Sequence, residues 1–241
     1  MRQSKLRRKS QEVPALGKRE ANKIDKLNRI RNAARHLFST RGFDETTMRD
    51  IAAKAKVALG TLFLYASNKR DLLFLIANDT MEDTRIRAAE LVSEDRPIID
   101  NLVAVCIIHF EIYGRQSDLF RLVLRELLFY DSGEQGTRAT RNRAQLLRLF
   151  SDIVEAAGRK GEIELAQTPD FVGWIFFSLL QAEIRRWIAL ERRDLAEGIR
   201  HLWASAAVVI NGMARQRFPA DAGTPDVRRL MKRVTLASPP R

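Results

Sequence analysis

From residue 23 to residue 213 the chain repeats apolar side chains three and four residues apart almost without a break. Nowhere does the period-two alternation of a half-buried strand appear. Such a chain must bury one stripe per helix against other helices, so the predicted fold class is all-α. The spacing predicts helices over 23–40, 48–55, 59–65, 70–92, 97–113, 118–130, 137–157, 169–191 and 194–213. Gly42 follows the first of these, Pro97 opens another, Gly158 is the expected stop of the helix over 137–157, and Thr168 with Pro169 starts the one after it. The segment from Phe171 to Leu180 is apolar nearly all round, which predicts deep burial.

The ends differ from this body. Residues 1–22 are polar, basic and aperiodic and read as a mobile arm. Residues 216–241 turn Pro/Gly/Ala-rich and basic and read as a disordered tail. Charge is distributed unevenly too. Residues 1–70 hold 18 Lys+Arg against 6 Asp+Glu, whereas residues 71–241 hold 24 of each, so the whole net charge of +12 lies in the first third. That asymmetry fits a polyanionic partner at one end, and equally a solubilising tail with a solvated face. The lone Cys106 excludes an internal disulfide and fits a reducing cytoplasm. The longest uncharged apolar stretches fall short of the ~18–20 residues a spanning helix needs, and no apolar segment follows the basic start. The expectation is a cytoplasmic protein with no membrane partner.

Residues 47–69, TMRDIAAKAKVALGTLFLYASNK, carry the most specific signal. Thr47 before Met48, with Asp50 three residues on, is a capping-box-like helix start. Met48, Ile51, Ala52 and Ala55 form the stripe of a helix too short to stand alone. KVA turns the chain, and LGTLFLY begins a second short helix with Leu62 inward. Two small helices joined by so short a turn describe a helix-turn-helix, whose second helix enters a major groove. The same spacing also fits an αα-corner inside a larger helical protein.

At these residues the chain resembles the TetR family of bacterial transcriptional regulators. The likeness runs in register from about Ile30 to Leu73, through AARHLFSTRGFDETTMRDIAAKAKV and GTLFLYASNKRDLL. It implies an N-terminal three-helix DNA-binding domain over 23–70 and a helical ligand-binding and dimerisation domain over 71–215. It also implies a homodimer paired through the last helices and a DNA operator as partner. Carried over residue by residue, Thr47, Thr61, Tyr65 and Lys69 would meet phosphates, and Ala58, Leu59, Gly60 and Leu64 would face bases. Three positions depart from the family's pattern. Lys56 stands where a turn glycine is usual, at a cost of about 1 kcal/mol or more if the backbone there is left-handed, though it could approach a phosphate. Ala58 replaces a Ser/Thr-like cap, and Phe63 replaces a tyrosine. The base-facing set is small and apolar, able to touch thymine methyls but offering no bidentate hydrogen bonds. Specificity is therefore expected to draw on backbone fit, DNA shape and the arm, where Arg2, Arg7 and Arg8 could reach a minor groove.

An effector site is expected among the helices spanning 97–191, with Phe110, Tyr113, Phe120, Phe129, Trp174, Phe177 and Gln181 as candidate lining. The same residues also read as plain core. The apolar surface favours an apolar or amphipathic small molecule over a sugar, with Arg121, Arg125 or Arg185 available to an acidic group. Cys106 and His109 are spaced as a possible ligand pair but equally as a core thiol beside a hydrogen-bonded imidazole, so no metal and no cofactor is expected. His36 and His201 form no constellation, and Glu111 and Glu183 read as ordinary polar positions. No nucleophile, metal-protease, phosphate-loop or dinucleotide motif occurs, so no catalytic residue and no enzyme activity is assigned. The seam Leu195, Ile199, Leu202, Ala206 and Val209, flanked by Trp203 and Ile210, is the expected dimer interface. The functional expectation is a repressor released by a small effector. The alternative is a helical ligand-binding protein whose DNA binding is weak and non-specific.

Overall fold

A computed structural model of the chain describes residues 17–127 and 130–212. Arg2, Arg7, Arg8, Phe129 and the expected tail lie outside the described residues. All regular structure among the described residues is helical: α1 (Lys18–Thr40), α2 (Met48–Lys54), α3 (Leu59–Phe63), α4 (Lys69–Glu90), α5 (Ile98–Arg115), α6 (Ser117–Glu126), α7 (Gly133–Arg159), α8 (Pro169–Ile188) and α9 (Leu195–Asn211). Packing groups these into two units. One takes residues up to Glu82 with Gln116–Arg141, the other Asp83–Arg115 with the residues from Asn142 onward.

In the first unit, α1 begins at Lys18, earlier than the expected 23. Residues 18–22 are therefore helix rather than arm. They contain no helix breaker, and Glu20 in the first turn complements the positive helix end. Ile30, Ala34 and Phe38 of α1, Ile51 and Ala52 of α2, Leu62 of α3 and Leu72 and Leu73 of α4 form its core. Neither short helix is long enough to persist without that burial. α6 stops at Glu126 instead of 130. Tyr130 stacks on Phe74 with ring centroids 4.5 Å apart, and its hydroxyl donates to Asp71 at 2.7 Å. Asp71 also accepts from the Ser67 amide at 2.8 Å, while its own amide donates to Asn68 at 2.9 Å. The start of α4 is thereby tied to the chain following α6. Further along, Arg31 of α1 and Arg138 of α7 converge on Asp79 of α4 at 2.7 and 2.9 Å.

In the second unit, Trp187 of α8 is a wedge. A β-carbon at Gly114 of α5 would lie 2.5 Å from its ring, and one at Gly198 of α9 2.6 Å. Only glycine admits the indole at either place. Phe110 tilts against it at 5.0 Å, and its Nε1 donates to the Asp194 carbonyl at 2.9 Å. α7 runs through Gly158, its expected stop, and ends at Arg159, with Gly161, φ 72°, turning the chain away two residues later. There Glu162 N donates to Ala157 O at 3.0 Å and Gly161 N to Gly158 O at 3.1 Å, the paired bonds of a left-handed helix stop. The starts of two helices match expectation: Thr47 caps α2 with Asp50 reciprocating, and Thr168 caps α8 with Pro169 in the first turn.

The deep burial expected around Phe171–Leu180 holds for one face only. Gly173, Phe176 and Leu180 are buried, but Phe171 and Trp174 remain 50% and 53% exposed. An apolar run reports that a helix is wanted by apolar neighbours on several sides, and this chain alone supplies them on one.

Candidate nucleic-acid interface and effector region

α2 is fixed by its capping box. Asp50 N donates to Thr47 Oγ1 at 3.2 Å and Thr47 N to Asp50 Oδ2 at 3.0 Å. The Thr47 hydroxyl also donates to Asp50 at 2.7 Å. Those bonds, chiefly the one from the hydroxyl, hold the Asp50 carboxyl below its ordinary range, with Arg41 at 3.1 Å assisting. At the far end of α2 the turn is left-handed at Lys56, φ 54°. Val57 N donates to Ala52 O and Lys56 N to Ala53 O, at 3.0 and 3.1 Å, the helix stop that glycine ordinarily serves.

α3 follows with Ala58 as an N-cap that makes no side-chain bond. Leu62 anchors it inward, fully buried. Outward it presents Ala58, Gly60, Phe63 and Leu64, with Leu59 and Thr61 half-buried. Leu64 is 84% exposed and Phe63 48%. Arg49, Lys54 and Lys56 are exposed on the preceding helix and turn. The Tyr65 hydroxyl donates to the Lys23 carbonyl at 3.4 Å, and Lys69 Nζ donates to the Asp44 carbonyl at 3.0 Å while lying 4.6 Å over the Phe43 ring. Both groups are thus positioned beside α3 by α1 and its following loop. An open groove of 1120 Å³ has Thr61, Leu64 and Tyr65 on one wall and Arg19, Lys23, Lys26 and Arg31 of α1 on another. Sequence reasoning placed Lys23, Lys26 and Arg31 on the first helix without setting them beside α3, and it left Arg19 in the arm. The signal lay in the Lys/Arg spacing of residues 19, 23 and 26.

The candidate effector residues divide between the two units. Phe120, fully buried, belongs to the first unit, whereas Phe110, Tyr113, Trp174, Phe177 and Gln181 belong to the second. Phe110 packs on Trp187, and Tyr113 meets the His109 ring edge-on at 5.6 Å. Trp174 lies on the outer face, and Phe177 and Gln181 are half-buried. The second unit does hold a small void of 10 Å³ lined by Leu102, Val103, Cys106, Phe150, Phe176, Leu179, Leu202 and Ala206. None of the candidate effector residues lines it.

Cys106 and His109 take their structural roles. Burial pushes the Cys106 thiol far up. It pushes His109 down to about 4, against the opposing effect of a 2.7 Å bond between Nδ1 and the Val105 carbonyl. The neutral ring therefore carries its proton on Nδ1. His201 and Glu183, read as unremarkable, are linked: buried Glu183 of α8 accepts from His201 Nδ1 at 2.8 Å, Ser205 Oγ at 3.2 Å and Arg186 Nε at 3.0 Å. Spacing within one helix could not reveal a cluster built across two.

The residues of the expected dimer seam divide between the chain's own core and its surface. Leu202 is 1% exposed, and Ala206 and Gly198 are buried with it. This stripe packs on α5 and α8 of the same chain. Trp203, read as a flank, is 51% exposed, with Leu195 and Val209 exposed toward the helix ends and Ile199 half-buried. Periodicity showed that α9 buries a stripe, but not against which chain.

Among the described residues no group of His, Cys, Asp and Glu is placed to hold a metal ion. No helix among them is long and apolar enough to cross a membrane. Residues 30–76 match the family model of bacterial regulatory proteins of the tetR family. The transcriptional repressor BepR of Brucella suis is 23% identical over 170 residues, 66% of this chain and 79% of its own length. Among solved structures, FadR of Thermus thermophilus in complex with lauroyl-CoA is 28% identical with a TM-score of 0.59, covering 82% of this chain and 100% of that one. FadR of Bacillus subtilis in complex with stearoyl-CoA is 20% identical with a TM-score of 0.62, covering 78% and 99%.

Proposed function

Because this chain is a TetR-family transcriptional regulator, we propose that it is a homodimeric repressor released from its operator by an amphipathic acyl ligand, an acyl-CoA in chemistry. The observation that carries the DNA-binding reading is α3: a five-residue helix anchored by Leu62 that turns Phe63 and Leu64 outward beside exposed Arg49, Lys54 and Lys56. In this proposal residues 23–70 read the duplex. Thr61, Tyr65 and Lys69 meet phosphates, Lys56 approaches one, and Ala58, Leu59, Gly60, Phe63 and Leu64 face base edges. Thr47 contributes by its capping geometry, since its hydroxyl is engaged by Asp50.

Residues 71–215 hold the effector and the partner protomer. The apolar lining of the second unit's void suits an acyl chain, and the two FadR proteins are seen with such ligands. At its present volume the void cannot accept one, so binding must select an opened state of that unit. If the opened state fits the operator less well, the ligand lowers DNA affinity by the ratio of its affinities for the two states. The partner protomer is assigned to the outer face of α8 and α9, around Phe171, Trp174 and Trp203.

Fluorescence anisotropy on the duplex upstream of the protein's own gene, beside a scrambled duplex, tests the reading. Much tighter binding to the native duplex, lost in Thr61→Ala/Tyr65→Ala and reversed by lauroyl-CoA or stearoyl-CoA but not by CoA alone, is expected. Equal affinity for both duplexes with a steep salt dependence would leave only counterion release. The chain would then be a helical ligand-binding protein with sequence-blind DNA contacts.

A further inference from the structure

The outward face of α3 carries almost no hydrogen-bonding side chain. Ala58, Gly60, Phe63 and Leu64 are exposed there, and Leu59 is half-buried. In the major groove, guanine, cytosine and adenine are told apart by donors and acceptors, whereas the thymine 5-methyl group is read by apolar contact. An 84% exposed leucine next to a 48% exposed phenylalanine is costly in water. The exposed cations of α2 and its turn beside that pair are complementary to a polyanion. Gly60 points the same way. Its backbone is ordinary, and a β-carbon there would meet nothing within 4 Å. The fold does not need a glycine at that place, and a glycine weakens a helix. What its bare backbone leaves room for lies outside the protein.

We propose, resting on the DNA-binding reading above, that Leu64 reads the 5-methyl group of a thymine in each operator half-site, with Gly60 allowing the close approach. Specificity at that base pair is hydrophobic. It resides in one methyl group, and the Watson–Crick pair itself is not read by hydrogen bonds from α3.

The test uses the full chain and a random-sequence duplex pool. Duplexes enriched by the protein are resynthesised with deoxyuridine in place of thymidine, one position at a time, which removes the methyl and nothing else. Withdrawing one buried methyl from contact weakens binding roughly fourfold, and doing so in both half-sites roughly fifteenfold. The Leu64→Ala protein, whose change lies on the surface and spares the core, is run beside the parent. It is expected to bind the thymidine duplex more weakly and to be indifferent to deoxyuridine at the read position. If enriched duplexes tolerate deoxyuridine everywhere, methyl readout is wrong while sequence-selective DNA binding stands. An equal deoxyuridine penalty in Leu64→Ala also overturns the proposal, since the methyl would then act through DNA shape or another residue. If no duplex is enriched at all, the DNA-binding reading falls and this proposal with it.

Discussion

Lys56 holds a left-handed backbone, φ 54°, at the helix stop between α2 and α3. A side chain there pays steric strain that glycine avoids. Lys56→Gly should raise unfolding stability by about 1 kcal/mol, read as a higher urea midpoint at unchanged m. If the lysine meets a phosphate, the same change lowers the salt slope of DNA binding by roughly 0.9. His109 yields a pH prediction of opposite character. An unfolded histidine takes its proton near 6.5, whereas burial lowers folded His109 to about 4. Between those values the unfolded chain binds more protons. The stability tied to the neutral ring is therefore complete above about pH 6.5 and declines by roughly 3 kcal/mol as pH falls to about 4. Urea unfolding at a series of pH values should show this decline, and His109→Asn should flatten it. At this scale the departure at Lys56 was legible, because a left-handed turn has a strong glycine preference. The engagement of the Thr47 hydroxyl by Asp50 and of Lys69 by the Asp44 carbonyl depends on spatial neighbours and partly escaped the sequence.

Helices compete for space as rigid rods, and the second unit resolves that competition around one indole. Trp187 fits only because Gly114 and Gly198 leave its ring free of β-carbons. Gly198→Ala should cost about 1–3 kcal/mol through overpacking, despite alanine's better helix propensity, and calorimetry of the variant would show a lowered Tm. A gain in Tm would mean that the indole shifts at little cost. The helices themselves were legible from apolar spacing and caps, as at Thr47 and Thr168. Their limits were less so. α1 gains five residues because nothing in KREAN opposes a helix, and α7 passes Gly158, on whose α-carbon Leu165 packs too closely for a side chain. A glycine marks either a stop or a close approach, and sequence alone does not distinguish the two.

For the whole molecule, assembly turns on which stripe of α9 is already spoken for. Leu202 lies in the chain's own core and Trp203 does not. Trp203→Glu should yield a folded protein with a dimer weakened at least tenfold in sedimentation, because a buried carboxylate without a partner is strongly disfavoured. Leu202→Lys should instead lower the melting temperature of the protomer. The reverse pattern would restore the seam expected from spacing. The same placement has a spectroscopic consequence. The chain has three tryptophans. Trp187 is sealed inside the second unit, while Trp174 and Trp203 stand half in solvent on the outer faces of α8 and α9. Iodide should quench the emission of two indoles in the isolated protomer and of none in a dimer that covers them. Self-association would thus be visible at high dilution without a dye, with the sealed indole as an internal standard.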